Sequence, residues 1–243
     1  MSHTQQQQSE TDYDVLVIGG GLIGASFACA MATQDLRIGV LEAVSFGSVS
    51  QPSFDDRSIA LSLGSKRIFE AIDIWSSIEE HATSINKIHV SDRGRFGVTR
   101  LDSLEQGVEA LGYVVMSRDM GQALGECISK LDNVDIISPS RVTGVDVPEK
   151  TAGDRAGVTI NHQGIEKKLS ARLLVAADGR DSFVRQSLGI KTTDWDYKQT
   201  AVIANITSQY PHHHVAYERF TDSCPIAVLP FSAGRCAIAW TFV

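Results

Sequence analysis

Three glycines with the spacing Gly19-x-Gly21-x-x-Gly24 constrain this chain more than any other feature. They follow residues 14–18, a short and largely apolar run rich in β-branched side chains, which is typical of a buried parallel strand. They open residues 22–34, in which apolar side chains recur with the period of a helix. A strand, a tight turn and a helix in this order predict the start of a doubly wound α/β sheet.

Each glycine of this turn has its own expected role. Gly19 permits the tight bend, Gly21 lets a pyrophosphate approach the backbone, and Gly24 lets the helix pack closely on the strand. The pyrophosphate would lie at the positive N-terminus of the helix. Residues 37–41 predict a second strand ending on Glu42, which is placed to accept hydrogen bonds from an adenosine ribose. The pattern predicts a dinucleotide site without separating NAD from FAD, and its alternative is a plain turn beside a solvated glutamate.

Two more segments carry charged residues at positions suited to a ligand. Asp56 and Arg57 come just ahead of a predicted helix, from where the guanidinium could reach cofactor phosphates. Asp178 and Gly179 follow the apolar residues 173–176, which predict another buried strand. The carboxyl end of such a strand is the usual place for ligands, although a plain Asp–Gly turn explains the spacing equally well.

Composition and charge argue against several other functions. The chain of 243 residues is 43% hydrophobic and 21% charged, which is typical of a globular protein. Its net charge of −7 argues against a nucleic-acid partner, and short basic pairs such as Arg93/Arg95 and Lys167/Lys168 are typical of a solvated surface. No apolar run reaches the length of a membrane span, and the polar residues 1–12 predict a flexible tail. We expect a cytoplasmic protein.

Neither a metal site nor a disulfide framework is expected. The four cysteines are widely spaced and form no Cys-x-x-Cys pair, so reduced structural thiols are the default. The three histidines at 212–214 lack cysteine or carboxylate partners in the sequence, and adjacent residues of a strand point to alternating faces. These histidines therefore argue for an ordinary surface segment rather than a metal site.

The motifs together resemble a known family. The glycine turn, Asp56–Arg57 and the stretch Ala177-Asp178-Gly179-x-x-Ser182-x-x-Arg185 are similar to the FAD-dependent aromatic hydroxylases, the family of para-hydroxybenzoate hydroxylase. Further segments resemble the ubiquinone-biosynthesis branch of that family, and within it the 2-octaprenyl-6-methoxyphenol hydroxylases. These segments are residues 89–94, 121–124, 195–199, 202–205, 216–221, 225–230 and 234–240.

The resemblance implies a role for each matching residue. The candidate cofactor-binding residues are Gly19, Gly21, Gly24, Glu42, Arg57, Arg118, Asp178 and Gly179. The first four would hold the ADP half of FAD, and the two arginines would contact its phosphates or ribityl chain. The last two would serve both the flavin and a passing NAD(P)H. No catalytic side chain is singled out, because the candidates Tyr217, Glu218 and Arg219 fit a structural role with an ion pair on a sheet face at least as well.

The implied fold is α/β, with a Rossmann-like FAD-binding domain interleaved with an incomplete β-sheet substrate domain. Residues 13–75 and 106–192 would form the FAD-binding domain, and residues 76–105 and 193–243 part of the substrate-binding domain. The implied activity is hydroxylation of the ring of a prenylated (methoxy)phenol by O₂, with NAD(P)H as co-substrate, in ubiquinone biosynthesis. The resemblance also implies a peripheral position at the inner face of the membrane or within a biosynthetic complex.

One departure from the family concerns its second flavin motif, a Gly-Asp followed by a proline- and glycine-rich helix start, which does not occur before Val243. Because residues 241–243 also lie in strand-like sequence, we expect a truncated chain or a fragment. Two other functions stay open. One is a non-catalytic or defective fragment that docks in a biosynthetic complex, and the other is an NAD-dependent dehydrogenase.

Overall fold

A computed structural model of the chain describes residues 12–46, 48, 55–148 and 155–242. The chain divides into two compact units, each built from two segments. The first unit comprises Met1–Phe54 and Leu124–Thr192, and the second comprises Asp55–Ala123 and Thr193–Val243. The predicted tail lies outside the described residues except for Asp12, whose backbone begins the first strand.

The strands in the described residues, in chain order, are β1 (Asp12–Ile18), β2 (Ile38–Leu41), β3 (Ser58–Ser62), β4 (Thr83–Ile85), β5 (Lys87–Asp92), β6 (Val98–Asp102), β7 (Gly112–Met116), β8 (Val134–Ile137), β9 (Ser140–Asp146), β10 (Ala156–His162), β11 (Ile165–Ala176), β12 (Thr200–Thr207), β13 (Val215–Phe220), β14 (Ile226–Pro230) and β15 (Arg235–Phe242). The α-helices are α1 (Leu22–Met31), α2 (Leu63–Ala71), α3 (Trp75–Ile78), α4 (Ser117–Ile128) and α5 (Phe183–Ser187). Two short 3₁₀ turns lie at Glu79–His81 and Ser232–Gly234.

A six-stranded sheet forms the centre of the first unit, in the order β8-β2-β1-β11-β10-β9. The four strands from β8 to β11 run parallel, and β10 and β9 continue the sheet antiparallel. All four residues of β2 are buried, as expected for a parallel strand covered on both faces. Because α1 follows β1 and leads into β2, the predicted strand–helix–strand start and the α/β fold class are confirmed.

Strand β11 joins the two parts of this sheet. The strand predicted at residues 173–176 is the end of a longer, 12-residue strand. Its first part pairs antiparallel with β10, and its second part pairs parallel with β1, where Ala176 lies opposite Ile18. Buried side chains of β11, chiefly Leu169 and Ala171, pack with Ile18 and with Val184 of α5 in one core.

The second unit contains two sheets. One has six strands in the order β12-β15-β14-β13-β5-β6, and the other has three in the order β3-β7-β4. All neighbouring pairs are antiparallel except β13 and β5. Val114 and Met116 of β7 pack in one buried cluster with Ala216 of β13, Ala237 of β15 and Phe231. One face of the six-stranded sheet thereby covers the smaller sheet.

Helices α2 and α3 are separate because Asp73 between them has a φ of 57°, which is incompatible with a right-handed helix. One local prediction in this unit was wrong. Arg57 was expected directly ahead of a helix, but the five-residue strand β3 comes first. This strand exists because Ile59 pairs with Val115 of β7, a partner far away in the sequence that local periodicity does not reveal.

Candidate functional site

The glycine turn of the first unit is packed so closely that side chains are excluded from it. Gly19 has a φ of +103°, and a Cβ there would lie 2.6 Å from the carbonyl carbon of Ala177. A Cβ on Gly24 would overlap the carbonyl oxygen of Gly19. The amide of Gly19 donates a hydrogen bond of 2.8 Å to the carbonyl oxygen of Leu41, which ties the turn to β2. Both glycines are therefore required by the backbone itself, as the spacing predicted.

Gly21 is the residue that precedes α1. Its extended backbone (φ −67°, ψ −174°) carries no side chain that could cap the first turn of the helix. The first amides of a ten-residue helix consequently have no side-chain acceptor from this position. Amides of this kind, together with the helix dipole, attract an anionic group such as a pyrophosphate.

Glu42 lies at the end of β2 and is only 9% exposed. Its Oε2 accepts a hydrogen bond of 2.8 Å from the amide of Gly20, and its Oε1 accepts one of 3.1 Å from the amide of Val44. The carboxylate thus links the glycine turn to the segment after β2. Each carboxylate oxygen can accept a second hydrogen bond, so these contacts leave acceptor capacity for a ligand hydroxyl.

Gly20 is a member of this site that the sequence reasoning missed. It lies between the two first glycines of the motif and was not assigned a role. Its position as the donor to Glu42 depends on the turn geometry, and the motif spacing alone does not show it.

Asp178 is held beside the glycine turn by the parallel pairing of β11 with β1. The amide of Ala177 donates to the carbonyl oxygen of Ile18 at 2.7 Å, and a Cβ on Gly19 would lie 2.9 Å from the Asp178 amide nitrogen. Asp178 Oδ2 accepts from the amide of Val184 at 3.2 Å, but the buried Oδ1 has no hydrogen-bond partner among the described residues. An unsatisfied buried acceptor costs about 1–3 kcal/mol, which a donor from a ligand would recover.

These features of the first unit fit a dinucleotide. The first amides of α1 suit its pyrophosphate, and the remaining acceptor capacity of Glu42 suits a ribose hydroxyl. The unpartnered Asp178 Oδ1 can accept a hydrogen bond from a donor on the ligand. Gly179 follows with a φ of +83°, and a Cβ there would meet no described atom within 4 Å. The backbone at Gly179 is therefore open to a close approach from outside.

Arg57 and Arg118 lie in the second unit, where the pairing of β3 with β7 brings them together. The Ser117 amide donates to the carbonyl oxygen of Arg57 at 2.8 Å, and the Arg118 amide donates to the carbonyl oxygen of Asp55 at 3.1 Å. The Arg57 guanidinium pairs with the Asp55 carboxylate, and the Arg118 guanidinium lies 2.7 Å from Asp56 Oδ1. At least half of each arginine side chain is exposed.

Asn205 of β12 is a further residue of this arginine site that the sequence did not reveal. Its Nδ2 donates to the carbonyl oxygen of Asp56 at 2.9 Å, whereas its buried Oδ1 has no partner in the described part of the chain. Its amide orientation is fixed because only the NH₂ group can donate to a carbonyl. Asn205 therefore anchors the Asp56 backbone to the six-stranded sheet.

Ionisable groups at the N-terminal end of β1 form contacts that stabilise the sheet. Burial, and then the neighbouring Asp135 carboxylate, raise the pKa of Tyr13 to about 12. The Tyr13 hydroxyl donates to Asp135 at 3.1 Å, and the Arg37 guanidinium lies over the tyrosine ring. The Arg37 backbone amide, followed by Arg172, lowers the pKa of Asp14. These groups stabilise the sheet and lie at the end of β1 opposite the glycine turn.

The three histidines lie in a turn and not on a strand as expected. His213 and His214 have φ values of 50° and 58°, and β13 begins only at Val215. His214 Nδ1 lies 3.0 Å from both the hydroxyl and the carbonyl oxygen of Ser84. Within the described residues no group of three metal-ligating side chains is found, and no helix there is long and apolar enough to span a bilayer.

Comparison with known proteins decides between the cofactors that the glycine turn alone leaves open. Residues 12–242 match the model of the FAD-binding domain family. The chain belongs to this family. The match spans all described residues of both units, and the family's cofactor is FAD, as the resemblance implied.

Two curated relatives of this FAD-binding domain are named for ubiquinone chemistry. The chain is 31% identical over 231 residues to the ubiquinone hydroxylase UbiL of Rhodospirillum rubrum, which covers 94% of this chain and 51% of that protein. It is 30% identical over 244 residues to the human mitochondrial ubiquinone biosynthesis monooxygenase COQ6, covering 96% of this chain and 52% of that protein. The chain thus spans about half the length of the curated relatives it matches.

A solved structure agrees with the fold. The p-nitrophenol 4-monooxygenase PnpA of Pseudomonas putida superposes with a TM-score of 0.79 at 20% identity, over 96% of this chain and 58% of that one. At this identity the similarity shows the fold of the FAD-binding domain and nothing about its substrate.

Proposed function

We propose that this chain provides the FAD-holding part, and a portion of the substrate-binding part, of a monooxygenase of ubiquinone biosynthesis. The observation that carries the proposal is the glycine turn closed on Glu42 and on the end of β11, in a chain related to ubiquinone hydroxylases. FAD, when bound, supplies the redox chemistry with NAD(P)H and O₂. The protein residues then bind and orient the cofactor and the substrate, and they exclude water from the site.

The proposed cofactor contacts follow from the geometry in the first unit. The amides after Gly21 would hold the pyrophosphate, and Glu42 would accept from the adenosine ribose while its contact with Gly20 keeps the turn closed. Asp178 Oδ1 and the open backbone at Gly179 would receive the flavin side of the cofactor. In the second unit Arg57 and Arg118 would contribute positive charge to the phosphates or ribityl chain.

An apolar sheet face supports a hydrophobic substrate. Val202, Trp240 and Ile226 are register partners across β12, β15 and β14, on the face of the six-stranded sheet opposite the buried cluster. Val202 is 46% exposed and Trp240 is 49% exposed. We propose that residues 13–75 and 106–192 hold FAD and that this face of the second unit contributes to binding a prenylated phenol. A protein acting on such a substrate would lie peripherally at the inner face of the membrane.

The test is FAD-dependent and NAD(P)H-dependent hydroxylation of a short-chain prenylated methoxyphenol by the purified protein. Isotopically labelled O₂ should deliver one labelled oxygen atom to the ring, detected by mass spectrometry. Colourless protein that takes up no FAD would instead favour the dehydrogenase or the non-catalytic alternative.

A matched pair of variants ties the activity to the site. Asp178→Asn places an NH₂ group where the unpartnered oxygen lies and is expected to weaken FAD binding about ten-fold. Asp181→Asn, at an exposed position of the same turn, should leave FAD affinity unchanged. Equal effects of the two substitutions would contradict the role of Asp178.

A further inference from the structure

The β5–β6 hairpin of the second unit ends in an unusually exposed aromatic side chain. Phe96, in the turn between the two strands, is fully exposed at 110% of its reference area. Gly94 and Gly97 on either side have φ values of +76° and +111°, and a Cβ on either would meet no described atom within 4 Å. The ring therefore projects from the second unit instead of packing against it.

Three arginines lie close to this ring in the sequence. Arg93, Arg95 and Arg100 are exposed, and Asp92 is the only carboxylate between residues 92 and 101, so this stretch carries a net charge of about +2 in a chain of net charge −7. Arg95 pairs with Asp92 at 3.1 Å, and Arg100 Nε donates to His89 Nδ1 at 3.3 Å. Arg93 forms no ion pair in the described part of the chain.

Strand β13 lies next to β5 and presents side chains beside this hairpin on both faces of the sheet. Phe220 lies opposite Asp92 in the register, is 48% exposed, and accepts a backbone hydrogen bond of 3.0 Å from the Arg93 amide. Arg219 shares a face with Ser91, to which it donates at 3.4 Å, whereas Glu218 and Phe220 point to the opposite face. Asp222 follows in an exposed turn and brings one more carboxylate.

We propose that residues 92–98 form a tip that inserts Phe96 into the headgroup layer of an anionic lipid bilayer. A single protruding ring among arginines suits that layer, where the ring reaches the acyl boundary and the guanidinium groups contact lipid phosphates. A protein partner fits less well, because a stable protein interface needs a broad apolar core and this tip offers one isolated ring. Val98 of the tip lies in the same cross-strand row as Val202, Trp240 and Ile226. It is therefore on the same face of the sheet as the proposed substrate-binding side chains.

The choice of a bilayer rests on the proposed function, since a prenylated substrate resides in the membrane. Vesicle binding requires neither flavin nor turnover, however, so its failure and the failure of hydroxylation are separate results. The probes are vesicles of phosphatidylcholine alone and of phosphatidylcholine mixed with phosphatidylglycerol, separated from free protein by flotation. The protein should bind the mixed vesicles at least about ten-fold more tightly, and added salt should reduce that preference.

Variants locate the contact. Phe96→Ser should weaken partitioning into mixed vesicles at least about ten-fold, and Arg93→Gln with Arg95→Gln about 25-fold. The matched control is Ile165→Ser, at an exposed apolar residue (61%) of the β10–β11 hairpin, which has no arginine beside it. In the Phe96→Trp variant, the fluorescence emission of the new tryptophan should shift to the blue on mixed vesicles only.

Three results would overturn the proposal. They are absence of vesicle binding, equal binding of both vesicle types, and an equal loss in the Ile165→Ser control. Absence of vesicle binding would make an acidic protein surface the remaining candidate for the tip.

Discussion

The glycine turn of the first unit and the arginine pair of the second unit are both predicted to bind the cofactor, but they are built differently. At the turn, Gly19 and Gly24 lie against backbone atoms, and the Glu42 carboxylate is buried and accepts two amides. Arg57 and Arg118 form exposed ion pairs with aspartates, and water can replace these contacts at little cost. Substitutions at the turn should therefore change folding and binding together, whereas substitutions at the arginines should change binding alone.

The largest effect is expected for Gly24→Ala. The new Cβ would overlap the Gly19 carbonyl oxygen, so α1 must shift away from β1. We expect the free energy of unfolding to fall by about 3 kcal/mol and the Kd for FAD to rise about 100-fold. Gly157→Ala is the matched control, because its Cβ would meet its nearest atom at 3.7 Å. Chemical denaturation and FAD titration measure both quantities, and wild-type values for Gly24→Ala would refute the steric argument.

A smaller effect is expected for Glu42→Gln. One of the two backbone amides would then face an NH₂ group, which loses a charge-assisted hydrogen bond in a buried position. The free energy of unfolding should fall by about 1–3 kcal/mol and FAD affinity about ten-fold. Glu166→Gln, at an exposed position of β11, should change neither quantity. Loss of affinity without loss of stability would show that the contact with Gly20 does not hold the turn.

Arg118→Gln should separate the two regions. Loss of its exposed pair with Asp56 should lower the free energy of unfolding by less than about 1 kcal/mol. FAD affinity should fall about ten-fold in low salt and less in high salt, because charge on the phosphates is screened. Asp56→Asn removes the same ion pair but leaves the guanidinium, and should not weaken FAD binding. A large loss of stability in Arg118→Gln would remove the contrast with the turn.

The smallest effect concerns acid stability and is shared by both units. Hydrogen bonding by the Arg37 amide, and then by Arg172, lowers the pKa of Asp14, and the Lys87 ammonium lowers the pKa of Asp102. A lowered pKa contributes stability above the unfolded value of 3.8, and this is lost as the pH falls through the folded value. Asp14→Asn and Asp102→Asn should each flatten the loss of stability below that value, as measured by denaturation at several pH values. An unchanged dependence of stability on acidic pH in either variant would show that the carboxylate does not form these hydrogen bonds in solution.

The sequence predicted the first unit better than the second for a physical reason. Gly19, Gly24 and Glu42 belong to one continuous strand–turn–helix–strand segment, in which local sterics determine the conformation. Strand β3 depends on β7, and Asn205 reaches Asp56 from a distant strand, so neither follows from local pattern. The roles of all eight candidate cofactor residues stay predictions until FAD binding is measured on variants.

Strand β11 has a consequence for the order of folding. Its parallel partner β1 comes from the start of the chain, and one segment of the second unit, Asp55–Ala123, is encoded between them. To pair, β1 and β11 must therefore come together across this whole intervening segment. This makes closure of the central sheet of the first unit a slow, long-range step. Asp178 reaches the glycine turn in the same step, so acquisition of cofactor affinity should report the completion of the sheet during refolding.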